Sequence, residues 1–178
     1  MKIKIISSSI RDGRDSQKVA AFLKNWMDKN TEAQTEIIDL KERNYPLFTE
    51  RLSFQEEKDP AAVQFSEEII EANAVIIVSP EYNGGYPASL KNVIDLLYAE
   101  WQKKPVALAM VSSGDMAGAQ AMQQLEFVLY KIGANVVKSR FHVGNVAQNF
   151  YDDGTTSNDE FYQGNAKLVW DNLKEFIA

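Results

Sequence analysis

Short apolar runs alternate with amphipathic segments along the whole chain, and this alternation limits the folds that the chain can form. Five of the runs are rich in β-branched residues, which predicts strands. Five of the segments repeat apolar residues at helical spacing, which predicts helices. Strands that alternate with helices form a parallel sheet whose crossover helices cover both faces, so the sequence predicts a doubly wound α/β fold.

The predicted elements leave two long stretches without regular structure. Strands are predicted at Lys2–Ser7, Thr35–Leu40, Ala74–Ser79, Val106–Val111 and Asn135–Ser139. Helices are predicted at Ser16–Asn30, Pro60–Glu71, Ser89 to about Gln102, Ala121–Ile132 and Asp159 to the end, the last one with a capping box of Ser157 and Glu160. The stretches between them are Lys41–Asp59 and Phe141–Asp159, and loops of that length are usually functional or mobile.

The composition excludes several classes of function. The 178 residues carry a net charge of −6, which argues against nucleic-acid and anionic-membrane partners. The absence of cysteine excludes disulfides, thiolate nucleophiles, Cys-ligated zinc and iron–sulfur clusters, and the single histidine, His142, excludes a His-rich metal site. Since no apolar run approaches the ~20 residues that span a bilayer and no signal peptide is visible, we expect one cytoplasmic domain over residues 1–178 without a metal.

The loop after the first predicted strand has the features of an anion site. It carries several hydroxyl groups and two arginines and ends at the start of a helix, where backbone N–H groups point outward. The dinucleotide and P-loop glycine motifs are both absent, so a single phosphomonoester suits the loop better. The candidate ligands are Ser9, Arg11, Arg14, Ser16 and Gln17. The alternative is that Ser16 only caps the helix and the arginines are solvated.

The loop after the third predicted strand is the most specific stretch of the chain. Pro80 and Pro87 stiffen it, and the Gly84–Gly85 pair allows a ligand to approach the backbone closely. Tyr82 offers an aromatic wall, and the amide of Asn83 can donate to ring nitrogen and carbonyl groups. The candidate binding residues here are Pro80, Glu81, Tyr82, Asn83 and Gly84. The alternative is an ordinary crossover turn that leads into the next helix.

Four segments in the same order resemble one enzyme family. Pro80–Asn92 matches the pattern P-E-Y-N-x-x-x-P-x-x-L-K-N, and Ser9–Arg14 is similar to a G-S-x-R-x-G-R phosphate loop in which Ser8 replaces the glycine. Asp39–Leu40 with Tyr45–Phe48, and the turn Phe150–Gly154, resemble two further segments. The family is that of the NADPH-dependent FMN reductases, a flavodoxin-like group that includes quinone, azo-dye and chromate reductases.

The resemblance implies a fold, a cofactor and an activity. The fold would be a flavodoxin-like, five-stranded parallel sheet with strand order 2-1-3-4-5 and helices on both faces. The activity would be FMN-dependent oxidation of NADPH or NADH, with two-electron reduction of a quinone, flavin, azo dye or metal oxyanion by a ping-pong mechanism. The alternatives are a flavodoxin-like FMN electron carrier without its own small-molecule substrate, and a flavin-free adaptor that has kept the fold.

The resemblance also implies roles for particular residues. The FMN phosphate would lie on the Ser9–Gln17 loop, and Asn83 would position the ring. The loop after the fourth strand would present backbone N–H groups to the pyrimidine edge through Ser112, Ser113, Gly114 and Gly118, unless it is simply a strand-to-helix turn with Asp115 near the cap. A homodimer, or possibly a tetramer, would form through the helix from Ser89 to about Gln102, with Tyr98 and Trp101 in the interface.

Overall fold

Five strands form an all-parallel sheet in the order β2-β1-β3-β4-β5 in the computed structural model, which describes residues 1–177. The strands are β1 (Lys2–Ser7), β2 (Gln34–Asp39), β3 (Ala74–Pro80), β4 (Pro105–Val111) and β5 (Asn135–Val143). The helices are α1 (Ser16–Asn30), α2 (Leu40–Arg43), α3 (Pro60–Glu71), α4 (Ala88–Leu96), α5 (Ala119–Lys131), α6 (Val146–Asn149) and α7 (Asp159–Ile177), with 3₁₀ turns at Leu52–Phe54 and Ala99–Trp101. The doubly wound fold and its strand order are confirmed.

Helices cover both faces of the sheet, and each face buries its own apolar cluster. Side chains of α1 and α7 pack on one face, and those of α3, α4 and α5 pack on the other. Neighbouring strand residues alternate between the clusters, so that Ile5 and Ile76 belong to the first and Ile6 and Ile77 to the second. This two-sided burial explains why the central strands are apolar at nearly every position. Among residues 1–177, no helix has the length and apolar character needed to cross a membrane.

The sheet brings the loops after β1, β3 and β4 to the same edge. The strands are in register near their ends, with Ser7 beside Val78 and Pro80 beside Val111. The chain moves from β1 to β2 on one side and continues from β3 to β4 on the other, so the crevice between β1 and β3 is the topological switch point. Ligands of open α/β sheets bind at such a crevice.

Two predicted boundaries were wrong by more than two residues. The fourth helix does not continue to Gln102: it ends at Leu96, because Leu97 is extended and the chain restarts as a separate 3₁₀ turn. The fifth strand continues past Ser139 to Val143, so His142 lies inside β5 and not after it. A register shift between β4 and β5 at Val106 and Leu108 accompanies this longer strand.

The two stretches predicted to be irregular contain short helices, α2 and α6. The start of α7 is also capped differently from the prediction. The Asn158 Oδ1 accepts a hydrogen bond from the Phe161 backbone N–H at 3.4 Å, whereas the Ser157 hydroxyl donates to Asn149 Oδ1 at 3.1 Å. Asn158 therefore takes the capping position that the sequence assigned to Ser157.

Trp101 lies in the core and cannot provide the interface area predicted for it. Its side chain is fully buried and its ring packs against Phe65, with 6.3 Å between the ring centroids. Tyr98, three residues earlier, is exposed. An aromatic residue without exposed surface stabilises the fold itself rather than an association of copies.

We expect Trp101→Ala to lower the free energy of unfolding by about 3–5 kcal/mol, because it removes a large buried ring and leaves a cavity. Urea unfolding measures this change. The matched control is Phe127→Ala on the exposed face of α5, which should change stability by less than about 0.5 kcal/mol. Full stability of Trp101→Ala would contradict the core position of this side chain.

Candidate functional site

Three loops at the carboxyl ends of the strands enclose two adjoining cavities. We call them the β1 loop (residues 8–15), the β3 loop (residues 81–87) and the β4 loop (residues 112–118). The smaller cavity, about 110 Å³, lies between all three loops, and the larger, about 540 Å³, lies between the β1 and β3 loops. Arg11, Glu81 and Tyr82 line both cavities, so the two form one continuous site.

Most of the residues predicted to bind the cofactor line these cavities: Arg11, Arg14, Ser16, Pro80, Glu81, Tyr82, Asn83, Ser112 and Ser113. The others, Ser9, Gln17, Gly84, Gly114 and Gly118, lie next to them in the same loops or at the adjoining helix starts. Sequence analysis missed Val146 of α6, which lines the smaller cavity, and Ala88 and Ser89 of α4, which line the larger. Their small or apolar side chains gave no signal in the sequence.

The smaller cavity has the polar groups that a phosphate requires. Ser16 is the first residue of α1, and its buried hydroxyl has no hydrogen-bond partner within residues 1–177. Asp15 precedes it without capping the helix, so the N–H groups of the first turn are not satisfied by a side chain. The positive end of the helix dipole adds to their attraction for an anion.

Most of the cations near this cavity are already paired, Lys18 with Asp15 among them. The Arg14 guanidinium makes a bidentate pair with the buried Asp39 carboxylate, with Nη1 2.6 Å from Oδ1, and also donates to the Ser9 carbonyl oxygen. Lys41 Nζ lies 2.5 Å from Asp12, and this hydrogen bond lowers the pKa of the Asp12 carboxyl. Arg11 is exposed and has no carboxylate partner in the described part of the chain. Arg11 is therefore the cation available to a ligand, while Arg14 braces the loop.

Two further hydrogen bonds hold the β1 loop in place. Ser9 Oγ and Tyr82 Oη share a hydrogen bond of 2.6 Å that ties the β1 loop to the β3 loop across the crevice. The Ser7 hydroxyl donates to Gln17 Oε1 at 2.6 Å. Ser9 and Gln17, both predicted as phosphate ligands, thus have structural partners of their own.

The β3 loop contains a tight turn at Asn83 and Gly84. Tyr82 and Gly85 exchange backbone hydrogen bonds of 2.8 and 3.0 Å, and both residues between them have positive φ, 52° for Asn83 and 80° for Gly84. Asn-Gly is the preferred pair for a turn of this kind, because both positions need the left-handed conformation. Gln124 of α5 donates to the Gly84 carbonyl oxygen at 2.7 Å. The backbone of the turn is thereby fixed, and Asn83 lines the larger cavity.

The Glu81 carboxylate has a role that the sequence did not reveal. Its Oε2 accepts hydrogen bonds from the backbone N–H groups of Gln120 and Ala121, both at 3.2 Å. These N–H groups belong to the first turn of α5. Glu81 therefore caps a helix that begins at Ala119, 38 residues later in the chain. The cap fixes the β3 loop against α5.

The β4 loop is held by hydrogen bonds from β5 and from the segment that follows it. The Asn145 amide donates to Asp115 Oδ1 at 2.6 Å, so Asp115 does not cap α5 as the alternative interpretation required. Gly118 takes that position with φ 75°, and it is buried against Met110. His142 Nδ1 lies 3.1 Å from the Ala117 carbonyl oxygen, and since a carbonyl only accepts, Nδ1 carries the hydrogen. The loop therefore presents Ser112 and Ser113 to the smaller cavity with a fixed shape.

Comparison with known proteins finds a family and several relatives. The model of the family described as NADPH-dependent FMN reductase matches residues 1–148. An NAD(P)H-dependent FMN reductase of Saccharomyces cerevisiae is 32% identical over 150 residues, covering 77% of this chain and 78% of that protein. A quinone reductase of Escherichia coli K12 is 38% identical over 106 residues, covering 57% of this chain and 56% of that protein.

Solved structures with the same fold are also found. A flavoenzyme NAD(P)H:(acceptor) oxidoreductase from Paracoccus denitrificans superposes with a TM-score of 0.79 and covers 98% of both chains. Its sequence is 22% identical to this chain, so this likeness supports the fold alone.

We expect Glu81→Ala to lower the free energy of unfolding by about 1–2 kcal/mol, because it leaves two N–H groups at the start of α5 without their acceptor. The control is Glu81→Gln, which keeps an accepting oxygen and should lose about half as much. Urea unfolding of the protein without added ligand measures both. Equal stability of Glu81→Ala and the unmodified chain would contradict the capping role.

Proposed function

The chain belongs to the NADPH-dependent FMN reductase family, and from that premise we propose that it binds FMN and uses NADPH or NADH to reduce a small acceptor. The acceptor class would be a quinone, a flavin, an azo dye or a metal oxyanion. The single observation that carries this proposal is the pair of cavities at the switch point. One is polar and contains the buried Ser16 hydroxyl, which has no hydrogen-bond partner within residues 1–177, and the other is larger and lies beside Tyr82.

The FMN phosphate is placed in the smaller cavity in this proposal. Ser16 Oγ and the first N–H groups of α1 would donate to its oxygens, and Arg11 would add a charge-assisted hydrogen bond. Tyr82 and Asn83 would contact the ring in the larger cavity. Its pyrimidine edge would reach the junction of the two cavities at Glu81 and Tyr82, where Ser112 and Ser113 of the smaller cavity would face it. The other predicted residues would hold the loops in the conformation that binds FMN: Ser9, Arg14, Gln17, Pro80, Glu81, Gly84, Gly114 and Gly118. The proposal treats residues 1–178 as one FMN-binding domain.

The reaction requires little chemistry from the side chains of the protein. FMN held by these residues would supply the two-electron redox chemistry that links oxidation of NAD(P)H to reduction of the acceptor. With a quinone, NAD(P)H and one proton yield NAD(P)⁺ and the hydroquinone. Glu81, the acidic side chain that lines both cavities, is occupied by the N–H groups of α5, so the extra proton would come from solvent. Because NAD(P)H is a cytoplasmic reductant, a cytoplasmic location is part of this proposal.

Colour and its loss test the proposal as a whole. The FMN-loaded protein should be yellow, and NADPH or NADH added without oxygen should bleach it rapidly. Added quinone should then restore the colour. Slow bleaching would favour the electron carrier, and a protein that never takes up FMN would favour the adaptor.

We expect Arg11→Ala to weaken FMN binding about 10- to 100-fold, because a hydrogen bond to the phosphate from a charged donor is lost. Fluorescence titration with FMN measures the dissociation constant. The control is Arg51→Ala, which removes an arginine that stacks on Tyr98 and should leave the affinity unchanged. Unchanged affinity in Arg11→Ala would mean that the phosphate lies elsewhere.

The position of the larger cavity supports a ping-pong mechanism. A ring whose inner face rests against Pro80–Gly84 leaves one face for both nicotinamide and acceptor, so the two would bind in turn. We expect parallel double-reciprocal plots when NADPH is varied at several quinone concentrations, and inhibition by high quinone. Intersecting plots would indicate a ternary complex and a second binding surface.

We also propose a homodimer, with an interface that no longer includes the buried Trp101. Phe48, Phe54 and Tyr98 are exposed, and the Arg51 guanidinium lies 4.8 Å from the centroid of the Tyr98 ring, which places the segment before Phe54 beside the end of α4. We call Phe48, Phe54 and Tyr98 the aromatic face. Aromatic residues are enriched in the cores of interfaces, and burial of this face in a dimer would remove apolar surface from water. A tetramer built from such dimers would need a second contact surface, which leaves the aromatic face in the dimer.

Sedimentation at micromolar concentration should give a species of at least twice the 20.1 kDa mass of the chain. Tyr98→Glu should shift it to the single-chain mass, because a charge in an apolar interface is costly. Phe127→Glu, an exposed aromatic position on α5, should leave the mass unchanged. A single-chain mass for the unmodified protein would exclude the dimer.

A further inference from the structure

A third cavity adjoins the proposed ring site on the side away from the phosphate. Its volume is about 410 Å³, and it lies between the first half of α4 and residues 40–47. Ile10, Ala88 and Ser89 line both this cavity and the larger cavity of the site, so the two are continuous. A molecule over the ring site could therefore extend into it. We call it the side cavity.

We propose that the side cavity binds a hydrocarbon chain carried by the electron acceptor, and that the preferred acceptors are quinones with an alkyl or isoprenoid substituent. This inference rests on the proposed function, since it concerns the acceptor of the same reaction. It adds the class of acceptor, which neither the family nor its motifs define for this chain.

The first argument is the apolar character of the walls. Leu40 and Val93 are buried at the side cavity, and the rings and branched chains of Tyr45, Ile10 and Leu47 complete its apolar lining. Burial, together with the nearby Glu68 carboxylate, raises the pKa of Tyr45 to about 12, so its hydroxyl stays neutral. An apolar cavity of this volume is typical of a site for a small apolar group.

The second argument is that three polar side chains of the lining, those of Lys41, Ser89 and Asn92, are already paired within the protein. The Ser89 hydroxyl donates to the Ser8 carbonyl oxygen at 2.6 Å, and Lys41 pairs with Asp12. Asn92 Oδ1 accepts from the Phe48 N–H at 2.6 Å, and its Nδ2 donates to the Pro46 carbonyl oxygen at 2.8 Å. A hydrocarbon chain needs no hydrogen bonds from such groups, whereas a polar ligand would have to break the hydrogen bonds that they already make.

The third argument is that the side cavity is preformed and open. The two Asn92 hydrogen bonds act as a clamp that holds residues 46–48 on α4, so the wall does not depend on a ligand for its position. At the rim, Leu47 is 86% exposed and Ile10 is 54% exposed. An alkyl chain that passes between them would take this apolar surface out of water.

A second copy of the chain is the other occupant to consider. Its proposed contact surface is the aromatic face, whose three residues lie outside the lining of the side cavity. The side cavity, with a volume of about 410 Å³, is an extension of the ring site. The continuity through Ile10, Ala88 and Ser89 therefore favours part of the acceptor as the occupant.

Two quinones with the same ring, one with a decyl chain and one without, test this inference on the FMN-loaded protein. We expect kcat/KM to be about tenfold or more higher for the decyl compound, because each buried methylene contributes to binding. Calorimetric titration of the oxidised protein should show the same preference in dissociation constant, independently of turnover. Leu47→Glu places a charge at the exposed rim and should remove most of the preference in both measurements.

The matched control is Phe54→Glu, a charge on the aromatic face outside the side cavity, which should keep the preference for the decyl compound. Equal kcat/KM and equal affinity for the two quinones would overturn the inference and leave the proposed function intact. Loss of the preference in both variants would assign it to the interface between copies, which also overturns the inference. Failure of both quinones to reoxidise the NADPH-reduced protein would instead contradict the proposed function.

Discussion

Burial of the central strands on both faces is the constraint on which the rest of this structure depends. Every residue of β3 and β4 is buried, so these strands have no room for unpaired polar side chains along their length. Polar groups therefore concentrate where the strands end. Because all five strands are parallel, those ends share one edge, and loops that are distant in the chain meet there. Ser9 and Tyr82, which are 73 residues apart, share a hydrogen bond for this reason.

Charged residues at this edge divide into those that hold the loops and those that remain available. Arg14 and Asp39 form a buried pair that connects the β1 loop to β2, with 12% and 4% of their side chains exposed. Removal of either partner would leave a buried charge without compensation, so the pair must be treated as structural. Glu81 is likewise used to cap α5. What remains for a ligand is Arg11 and the uncapped start of α1, a compact site for one doubly charged group.

The β1 loop separates a polar side of the site from an apolar side. Its adjacent residues Ile10 and Arg11 both line the larger cavity, yet Ile10 continues into the side cavity and Arg11 into the phosphate-sized one. The same short loop can thus direct the charged end of a cofactor one way and a hydrocarbon substituent of an acceptor the other way. The family match accounts for the first direction, and the second is the part of the site through which this chain could select its acceptor.

Periodicity and local motifs were sufficient for the doubly wound fold class, for most strand and helix positions and for the three loops that meet at one edge of the sheet, because these depend on residues that are close in the chain. The helix predicted at Pro60–Glu71, for example, has these bounds in the structure, where the neighbouring Asp59 side chain caps it by accepting a hydrogen bond from the Ala62 N–H. The strand order came from the resemblance to the family. The sequence could not indicate that Arg14 pairs with Asp39, that Glu81 caps α5, that Trp101 is buried or that Asn92 clamps residues 46–48. Each of these contacts joins groups from different elements, and the packing of helices on the sheet decides which of them come within hydrogen-bonding distance. The residue types that can bind FMN are thus a property of the sequence, whereas tertiary packing decided which of their polar groups remain free to do so.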